Sequence, residues 1–501
     1  RRGPVTAVDA PRRYRFGALD RSGWLLGLGA VPCLVLGAGF LAAGLTLKAT
    51  GSAALAALPL AAAAIAAFAR YDGRAAHEWV SPLVGWASLR SGQQHRWAAR
   101  VPLLGGDGSA PDLPPFLAGL EVQERPTGRP RAPRAAGVGL VVDAQAQLVS
   151  ATVRVQGDAF ALLEHDDQAR VLDSWGAALA GFCRERSAVS RVTWSEWAAP
   201  ASLEDHLRFV RDQRDGDAPD PHWRDYVELV GRAGPLTIAH ETLITLTVDR
   251  RRTRGRVGAD PAIDALLDEV ELFVDRVEHA GLGVDPPLGP GELAVAVRLR
   301  TDPSAAARLA TRRQRLAERA RVVAPHNLAP LAVDVGWRQV RVDQALHRCF
   351  WIADWPRLEM PADWLATLLL HPGGIRTVTV VHEPVSPTRS RRAVDREVTR
   401  LSSDEEERVK RGFRVRAQHR RAESEVLARE AELVAGYAEL RYAGFLTVTA
   451  FDQRSLDEQS ADWVQVAAQC GVELRALDGQ HDLGVAVALP VGRVPTGRGR
   501  R

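Results

Sequence analysis

The chain has little lysine, little methionine and few cysteines. Only Lys48 and Lys410 are lysines, and neither lies in the Gly-x-x-x-x-Gly-Lys-Ser/Thr loop that binds nucleotide phosphates. This absence excludes a P-loop ATPase. The four cysteines are far apart in the sequence: Cys33, Cys183, Cys349 and Cys470. Because they form no Cys-x-x-Cys pair, the sequence indicates neither a structural zinc site nor a disulfide framework.

Other catalytic signatures are also missing. No serine has glycine at both second-neighbour positions, which excludes the nucleophile elbow of hydrolases. His240-Glu241 lacks the second histidine of a metalloprotease helix, and His382-Glu383 lacks the cysteine pair of zinc deaminases. The Asp-rich stretch 214–225 has Pro219 where a calcium loop needs its third ligand. We therefore expect no catalytic residue, no cofactor-binding residue and no metal site.

Net charge is low for a chain of this length. The 65 lysines and arginines exceed the 61 acidic residues by four, so the whole protein has no strong nucleic-acid signature. Its 501 residues are enough for two or three domains with cores of their own. The only methionine is Met360, so we expect a few initial residues to precede Arg1.

Two long uncharged stretches lie in the first 70 residues. They run from Trp24 to Leu47 and from Ala49 to Ala69, with Lys48 between them. Each reaches the ~20 residues that a helix needs to cross a bilayer. A secretory signal peptide has a shorter apolar region and is not followed at once by a second span. The sequence therefore predicts two transmembrane helices.

The charges around these stretches predict their orientation. Arginines flank both of them, whereas the turn between them offers only Lys48. The positive-inside rule then places both termini in the cytoplasm of a multi-pass protein of the cell membrane. The flanking arginines are Arg1, Arg2, Arg12, Arg13, Arg15 and Arg21 before the first stretch, and Arg70 and Arg74 after the second.

Small residues recur at four-residue spacing in the same region. The membrane-packing residues that we predict are Gly23, Gly27, Ala53, Ala57 and Ala61. Small residues at this spacing let helix backbones approach closely. The two helices could pack on each other in this way, or on another membrane protein, and the sequence leaves both alternatives open.

The rest of the chain divides into four segments. Residues 73–117, with Trp79, Trp86 and Trp97, are predicted to form an interfacial segment and a linker after the arm and anchor at 1–72. Residues 118–335 and 336–493 each alternate strands with helices, and 494–501 is a basic tail. Within the first of these blocks, residues 124–136 form a basic, Pro-rich loop.

Residue patterns predict the elements of the two blocks. In the first block we expect a hairpin within Gly137–Gly157, strands at Val189–Trp197 and His240–Asp249, and helices at His165–Arg184, Pro221–Val230, Asp260–Ala280 and Gly291–Arg300. In the second we expect paired strands within Arg338–Trp355, strands at Ile375–Val381, Phe445–Phe451, Val472–Leu477 and Leu483–Leu489, and helices at Ala362–Leu370, Val394–Ala435 and Leu456–Cys470. The predicted fold is α+β, with two N-terminal transmembrane helices followed by two cytoplasmic antiparallel-sheet/helix subdomains.

A family resemblance covers about residues 118–493. The residues that carry it are Phe350-Trp351-Ile352, Asp354-Trp355-Pro356, Trp364-Leu365, His382-Glu383-Pro384, Phe445, Thr447-Val448-Thr449, Cys470–Arg493 and Val153–Leu163. In this order they resemble the amino-terminal, non-ATPase region of the motor ATPases of conjugation and type IV secretion, the TraC and TrbE type. The ATPase half that follows in that family is missing from these 501 residues.

The front of the chain resembles a different component. Tyr14–Gly23 and the two apolar stretches look like the small membrane subunit that accompanies such ATPases. The whole chain resembles actinobacterial conjugative-element membrane proteins encoded beside PrgI-like proteins. The resemblance implies a non-catalytic, membrane-anchored structural component that docks a separate motor ATPase.

The resemblance also implies partners. They are the motor ATPase, a PrgI-like membrane subunit and membrane lipid, within an oligomeric assembly and without sequence-specific binding to nucleic acid. We expect a fragment beginning near Pro115 to be soluble and to capture the motor. The alternatives are an EccE-like membrane component of type VII secretion and a membrane-bound enzyme such as a transferase.

Overall fold

The computed structural model describes most of the chain. The described residues are 30–71, 73–99, 113–126, 137–157, 160–200, 210–211, 221–233, 237–254, 258, 260–306, 309, 329–410 and 417–494. The predicted N-terminal arm, most of the loop at 124–136 and residues 495–501 of the predicted tail lie outside them.

The described residues contain helices and strands along the whole chain, joined by turns and loops. The helices are α1 (Ala30–Thr50), α2 (Ala53–Phe68), α3 (Val80–Ser91), α4 (His165–Ala180), α5 (Pro221–Ala233), α6 (Pro261–His279), α7 (Pro290–Thr301), α8 (Ala366–Leu369), α9 (Pro387–Lys410), α10 (Ala417–Val434), α11 (Gln453–Gln469) and α12 (His481–Ala488). The strands are β1 (Arg70–Tyr71), β2 (Arg74–Ala75), β3 (Arg96–Ala98), β4 (Leu120–Arg125), β5 (Val138–Asp143), β6 (Leu148–Gln156), β7 (Val189–Pro200), β8 (Ile238–Asp249), β9 (Gly283–Val284), β10 (Ala332–Val335), β11 (Val340–Val342), β12 (Ala345–Asp354), β13 (Ile375–Pro384), β14 (Leu440–Ala450) and β15 (Glu473–Ala476).

Thirteen of these strands form one antiparallel sheet. Their order is β3-β10-β11-β12-β14-β13-β7-β8-β6-β5-β4, with β15 paired to β12 and β9 paired to β6. Strands β1 and β2 form a separate hairpin. We call the described residues from 96 to 494, which hold this sheet and the helices packed on it, the body.

The sheet is continuous between the two blocks. Strand β7 of the first block pairs with β13 of the second, from Val192 opposite His382 to Ala198 opposite Arg376. A division of the chain at residue 336 stays a prediction, but the backbone hydrogen bonds of the sheet do not stop there. The coarse expectation of an α+β protein with antiparallel strand pairing is confirmed.

One face of the sheet is covered by α4 and α6 in one half and by α8 and α11 in the other. Phe273 and Leu266 of α6 lie in the first of these cores, and Trp463 of α11 lies in the second. Trp194 on β7 packs against both cores. The two helical layers therefore cover the same side of a shared sheet.

The opposite face is crossed by two segments that link the halves. Helix α7 begins against β5, where a Cβ at Gly139 would lie 2.9 Å from the Gly289 backbone, and ends where His347 Nε2 binds the Thr301 carbonyl at 2.8 Å. Helix α12 begins on β12, where the Cys349 amide donates to His481 Nδ1 at 3.1 Å. The residues after α12 return to β5. Each segment thus spans from one half of the sheet to the other.

Local signals account for several elements. Helix α6 begins at Pro261 because the Asp260 side chain accepts hydrogen bonds from the next amides and proline suits the first helical position. The β5–β6 hairpin is also confirmed: Asp143 Oδ1 accepts from the Gln145 and Ala146 amides in the turn, and Gln147 has φ of +59°.

Three element predictions are wrong in part. The segment Leu483–Leu489 was expected as a strand, but all of it except Leu489 lies in α12, because a short, fully apolar run has the same composition in a buried helix and a buried strand. The single helix expected over Val394–Ala435 is two helices, α9 and α10, which pack on each other. The helix expected over Ala362–Leu370 is one turn, α8.

Candidate functional site: the N-terminal apolar helices and their joint with the body

Helix α1 is the one described helix that is long and apolar enough to cross a membrane. Its 20 residues from Val31 to Thr50 would extend about 30 Å, which matches the hydrocarbon core of a bilayer. Its large side chains face outward: Leu34, Phe40, Leu41 and Leu45 are 64–73% exposed. A core helix of a soluble protein would bury these side chains, whereas only 11% of the most apolar window of α1 is buried.

The second apolar stretch forms a shorter helix than expected. Gly51 has φ of +66°, and the Ser52 hydroxyl accepts from the Leu55 amide, so a turn and a helix cap occupy the start of the stretch. Helix α2 has 16 residues, or about 24 Å, which is short of the usual spanning length. The structure therefore gives one candidate span, and the second belongs to the proposal below.

Helices α1 and α2 pack through small side chains. Gly39 is buried against α2, and a Cβ at this position would collide with the Cβ of Ala63. Ala56, Ala63 and Ala67 are the buried residues of α2. Glycine at position 39 thus permits close approach of the two helices.

The predicted membrane-packing residues lie elsewhere. Gly23 and Gly27 are outside the described residues, and Ala53, Ala57 and Ala61 are all exposed. Alanine fills 10 of the 16 positions of α2, so spacing alone could not tell which alanines face α1. Packing of the exposed residues Ala53, Ala57 and Ala61 on another membrane protein stays a prediction.

The end of α2 is tied to the body by a short hairpin. The Ala76 amide donates to the Ala69 carbonyl at 2.8 Å and closes the chain around β1 and β2. Arg74, which is buried, donates to the Ala476 carbonyl of β15, and its guanidinium lies 5.0 Å from the centre of the Trp79 ring. Arg475 in turn donates to the Gly73 carbonyl at 3.1 Å.

Three tryptophans complete the attachment. Trp79 stacks on Trp337 with ring centres 6.2 Å apart, and Trp86 meets the edge of the same ring at 5.3 Å. We call Trp79, Trp86 and Trp337 the tryptophan joint. Farther along, Trp97 lies in β3, which pairs with β10. Residues 73–99, predicted as part of an interfacial segment and linker, are thus largely folded against the body.

The buried thiols are poor nucleophiles. Burial raises the pKa of Cys349 to about 12, and it also raises the pKa of Cys183 and Cys470 above the ordinary thiol value. A thiol reacts as its thiolate, and burial disfavours that form. These three cysteines therefore serve as small core side chains.

Charged side chains gather on β6, β8 and α7, but they neutralise one another. Arg300 donates to Glu241 at 2.9 Å, and Arg154 donates to Glu241 at 2.8 Å and to Asp285 at 3.3 Å. Burial would raise the pKa of Glu241, but the two guanidinium groups outweigh it and hold that pKa below its ordinary value. The Glu241 carboxylate is therefore occupied as a structural anion.

A cavity of about 590 Å³ opens near the ends of β7 and β13. Trp197, Ile375 and Phe451 line it, together with Asp343. The Asp343 carboxylate is already engaged by Arg298 and by the amides of residues 331 and 332. Within the described ranges, no three His, Cys, Asp or Glu side chains lie close enough to share a metal ion.

No protein-family model matches this chain, and no curated protein is similar to it in sequence.

Proposed function

We propose that this protein is a non-catalytic, membrane-anchored structural component of a conjugative or type IV-like secretion apparatus, and that it docks a separate motor ATPase. The observation that carries the anchoring part is helix α1, whose length matches a bilayer and whose large apolar side chains face outward. A PrgI-like membrane subunit and lipid are the other proposed partners, within an oligomeric assembly.

We propose further that α1 and α2 together form a membrane hairpin with both termini cytoplasmic. The arginines on both sides of the apolar stretches support this orientation. The close packing at Gly39 and Ala63 supports insertion of the two helices as a pair.

The secretion assignment is supported by the family resemblance. Several motif residues belong to one packed core: Trp355 lies 6.3 Å from Trp364 and 5.1 Å from Tyr442, and Phe350 and Ile352 share the cluster. Residues from several of the motifs therefore pack together in this chain, where strands of the sheet meet helices. A structural role fits a body whose gathered charges are paired with one another and whose thiols are buried.

The experiment that tests the proposal is purification of the full-length protein from its own membranes in mild detergent. We expect a separately encoded motor ATPase and a small membrane subunit to copurify with it, and we expect no ATP hydrolysis by the protein alone. Copurification of a type VII secretion core complex would replace the proposal with the EccE-like alternative. Turnover of a substrate by the isolated protein would replace it with the enzyme alternative.

A matched pair of variants tests the anchoring part. Leu41→Arg with Leu45→Arg places two charges in the middle of α1, and we expect this protein to leave the membrane fraction in alkaline carbonate. Leu229→Arg with Leu272→Arg makes the same changes at exposed leucines of α5 and α6, and we expect no such loss. Retention of the α1 variant in the membrane would contradict anchoring through this helix.

A further inference from the structure

Helix α3 has an exposed apolar face without a partner in the described structure. Val80, Leu83, Val84 and Ala87 recur at the spacing that places side chains on one side of a helix. Val80, Leu83 and Val84 are 49–62% exposed, and Ala87 is exposed as well. We call these four residues the apolar stripe. The only charged residue in α3 is Arg90, near its end.

The other face of α3 is fixed to the body. Pro82 is buried, and Trp86 packs against Trp337 in the tryptophan joint. The Arg90 guanidinium lies 5.1 Å from the centre of the Trp86 ring. The helix is therefore held on one side by protein and presents its apolar stripe on the other.

The apolar stripe begins close to the end of α2. The hydrogen bond from the Ala76 amide to the Ala69 carbonyl brings the chain back to the last turn of α2. From Ala76 a single 3-10 turn leads to Val80, a rise of about 8 Å. If α2 ends at a membrane surface, the start of α3 lies at that surface too.

We propose that the apolar stripe of α3 lies in the headgroup region of the lipid bilayer, so that the body is held at one orientation against the membrane. This inference rests on the membrane anchoring proposed above and adds a second lipid contact to it. Lipid is the occupant because the stripe begins one 3-10 turn after Ala76, which binds the end of α2, where Ile65 and Phe68 are 66% and 56% exposed. An interfacial helix buries its apolar face ~5–10 Å into this region, and here the protein covers the face that usually contacts water.

Site-directed fluorescence in vesicles tests the inference. The full-length protein carries Cys33→Ala, which leaves three buried cysteines, and receives a single new cysteine at position 84, 41 or 272 for labelling with a nitrobenzoxadiazole dye. After reconstitution in phosphatidylcholine vesicles, the label at 84 is expected to be quenched by doxyl-labelled phosphatidylcholine and to lose quenching by aqueous iodide. The label at 41 reports on α1, and the label at 272 on exposed α6.

The three positions separate the possible failures. If 41 is quenched by lipid but 84 is quenched by iodide as strongly as 272, the inference is wrong and the anchor stands. If 41 and 84 are both quenched by iodide, the proposed anchoring fails as well. If 84 is shielded from iodide and from doxyl lipid alike, another protein or a second copy covers the stripe, and the lipid assignment is overturned.

A charge substitution gives a second test. In protein labelled at position 87, Leu83→Glu with Val84→Glu is expected to abolish quenching by doxyl lipid and restore quenching by iodide. Leu272→Glu with Leu229→Glu, two exposed leucines on other helices, is expected to change neither. Near-ultraviolet circular dichroism of the tryptophans reports whether the joint remains folded. An unchanged lipid signal in the doubly substituted α3 variant with an intact joint would overturn the proposal.

Discussion

Arg493 connects the last described residues to the first half of the sheet. Its side chain donates to Asp143 Oδ2 at 2.8 Å and to the carbonyls of Phe116 and Ala118 at 2.6 Å each. Asp143 is buried, so its carboxylate depends on the guanidinium for compensation. One side chain thus holds together the segment after α12, strand β5 and the residues just before β4.

Replacing Arg493 with alanine is expected to lower the free energy of unfolding by about 3 kcal/mol, because a buried carboxylate loses its cation and two carbonyls lose a charged donor. Arg454→Ala is the control, since its pair with Glu458 is 2.8 Å long but exposed, and such pairs contribute about 0.5 kcal/mol or less. Urea unfolding in detergent, followed by tryptophan fluorescence, measures both. Equal effects of the two variants would contradict this role of Arg493.

Two buried histidines couple stability to pH. Burial lowers the pKa of His347 and of His382 to about 4 from the ordinary 6.5. At His347, the Thr301 carbonyl can only accept, so Nε2 carries the proton and Nδ1 accepts from the Thr449 hydroxyl. The folded protein therefore holds neutral imidazoles where the unfolded chain takes up protons.

Stability is accordingly expected to fall as the pH drops from 6.5 towards 4. The unfolded chain binds more protons in this window, and the loss reaches about 2 kcal/mol per histidine at pH 5. In His347→Gln, the drop in urea midpoint between pH 7 and pH 5 should be smaller than in the parent protein. His279→Gln, on the exposed side of α6, controls for the substitution. An undiminished drop in the His347 variant would refute this coupling.

Among the elements, the pair α1 and α2 depends on one close approach. A Cβ at Gly39 meets Ala63, whereas a Cβ at Gly37 has no atom within 4 Å. Gly39→Val is therefore expected to push the helices apart, and Gly37→Val to leave them in place. Spin labels at positions 41 and 65 in vesicles report the change as a longer inter-label distance. The same distance in both variants would show that α1 and α2 pack differently in a bilayer.

The highly charged segment expected as one helix over Val394–Ala435 contains two helices, α9 and α10, which pack on each other. Arg429 of α10 lies 3.3 Å from Glu397 of α9 and 2.6 Å from Glu439, just before β14. The Ser390 hydroxyl also donates to Glu439. Ion pairs at the base therefore hold two helices side by side where the sequence pattern indicates one long charged helix.

At the scale of the whole molecule, helices pack on both faces of a single sheet. Helices α7 and α12 cross one face, and α4, α6, α8 and α11 cover the other. The N-terminal helices join this body through Arg74 and the tryptophan joint rather than through a free linker. The end of α2 is therefore connected to the sheet by direct side-chain contacts.

Fragments of the protein test this attachment. A fragment from residue 73 keeps the tryptophan joint and the pairing of β3 with β10, whereas one from residue 115 loses both and leaves β10 as an exposed edge strand. The shorter fragment is expected to unfold at lower urea concentration and to self-associate in light scattering, so the pairing of β3 with β10 revises the expectation that a fragment beginning near Pro115 is soluble by itself. Trp337→Ala in the longer fragment measures the part due to the joint. Identical midpoints for the two fragments would contradict the attachment.

The sequence by itself determined the features that depend on neighbouring residues. The apolar run of α1, the Asp260 cap of α6 and the turn at Asp143 each depend on residues that are close together in the chain. Sequence pattern and local hydrogen bonding therefore suffice to predict them. The missing Walker lysine likewise excludes P-loop chemistry without a structure.

Only the tertiary structure decided which of several equivalent residues and edges meet. Any strand edge offers the same backbone donors and acceptors. No residue in β7 or β13 therefore indicates that these two strands pair and join the two blocks in one sheet. The run Leu483–Leu489 becomes a helix that packs on β12, β13 and β14, and apolar composition cannot specify that. The packing of α2 on α1 selected Gly39 from many small residues, and the contact of Trp86 with the distant Trp337 left Val84 on the exposed face of α3. Such contacts depend on the packing of the whole chain, which no local pattern encodes.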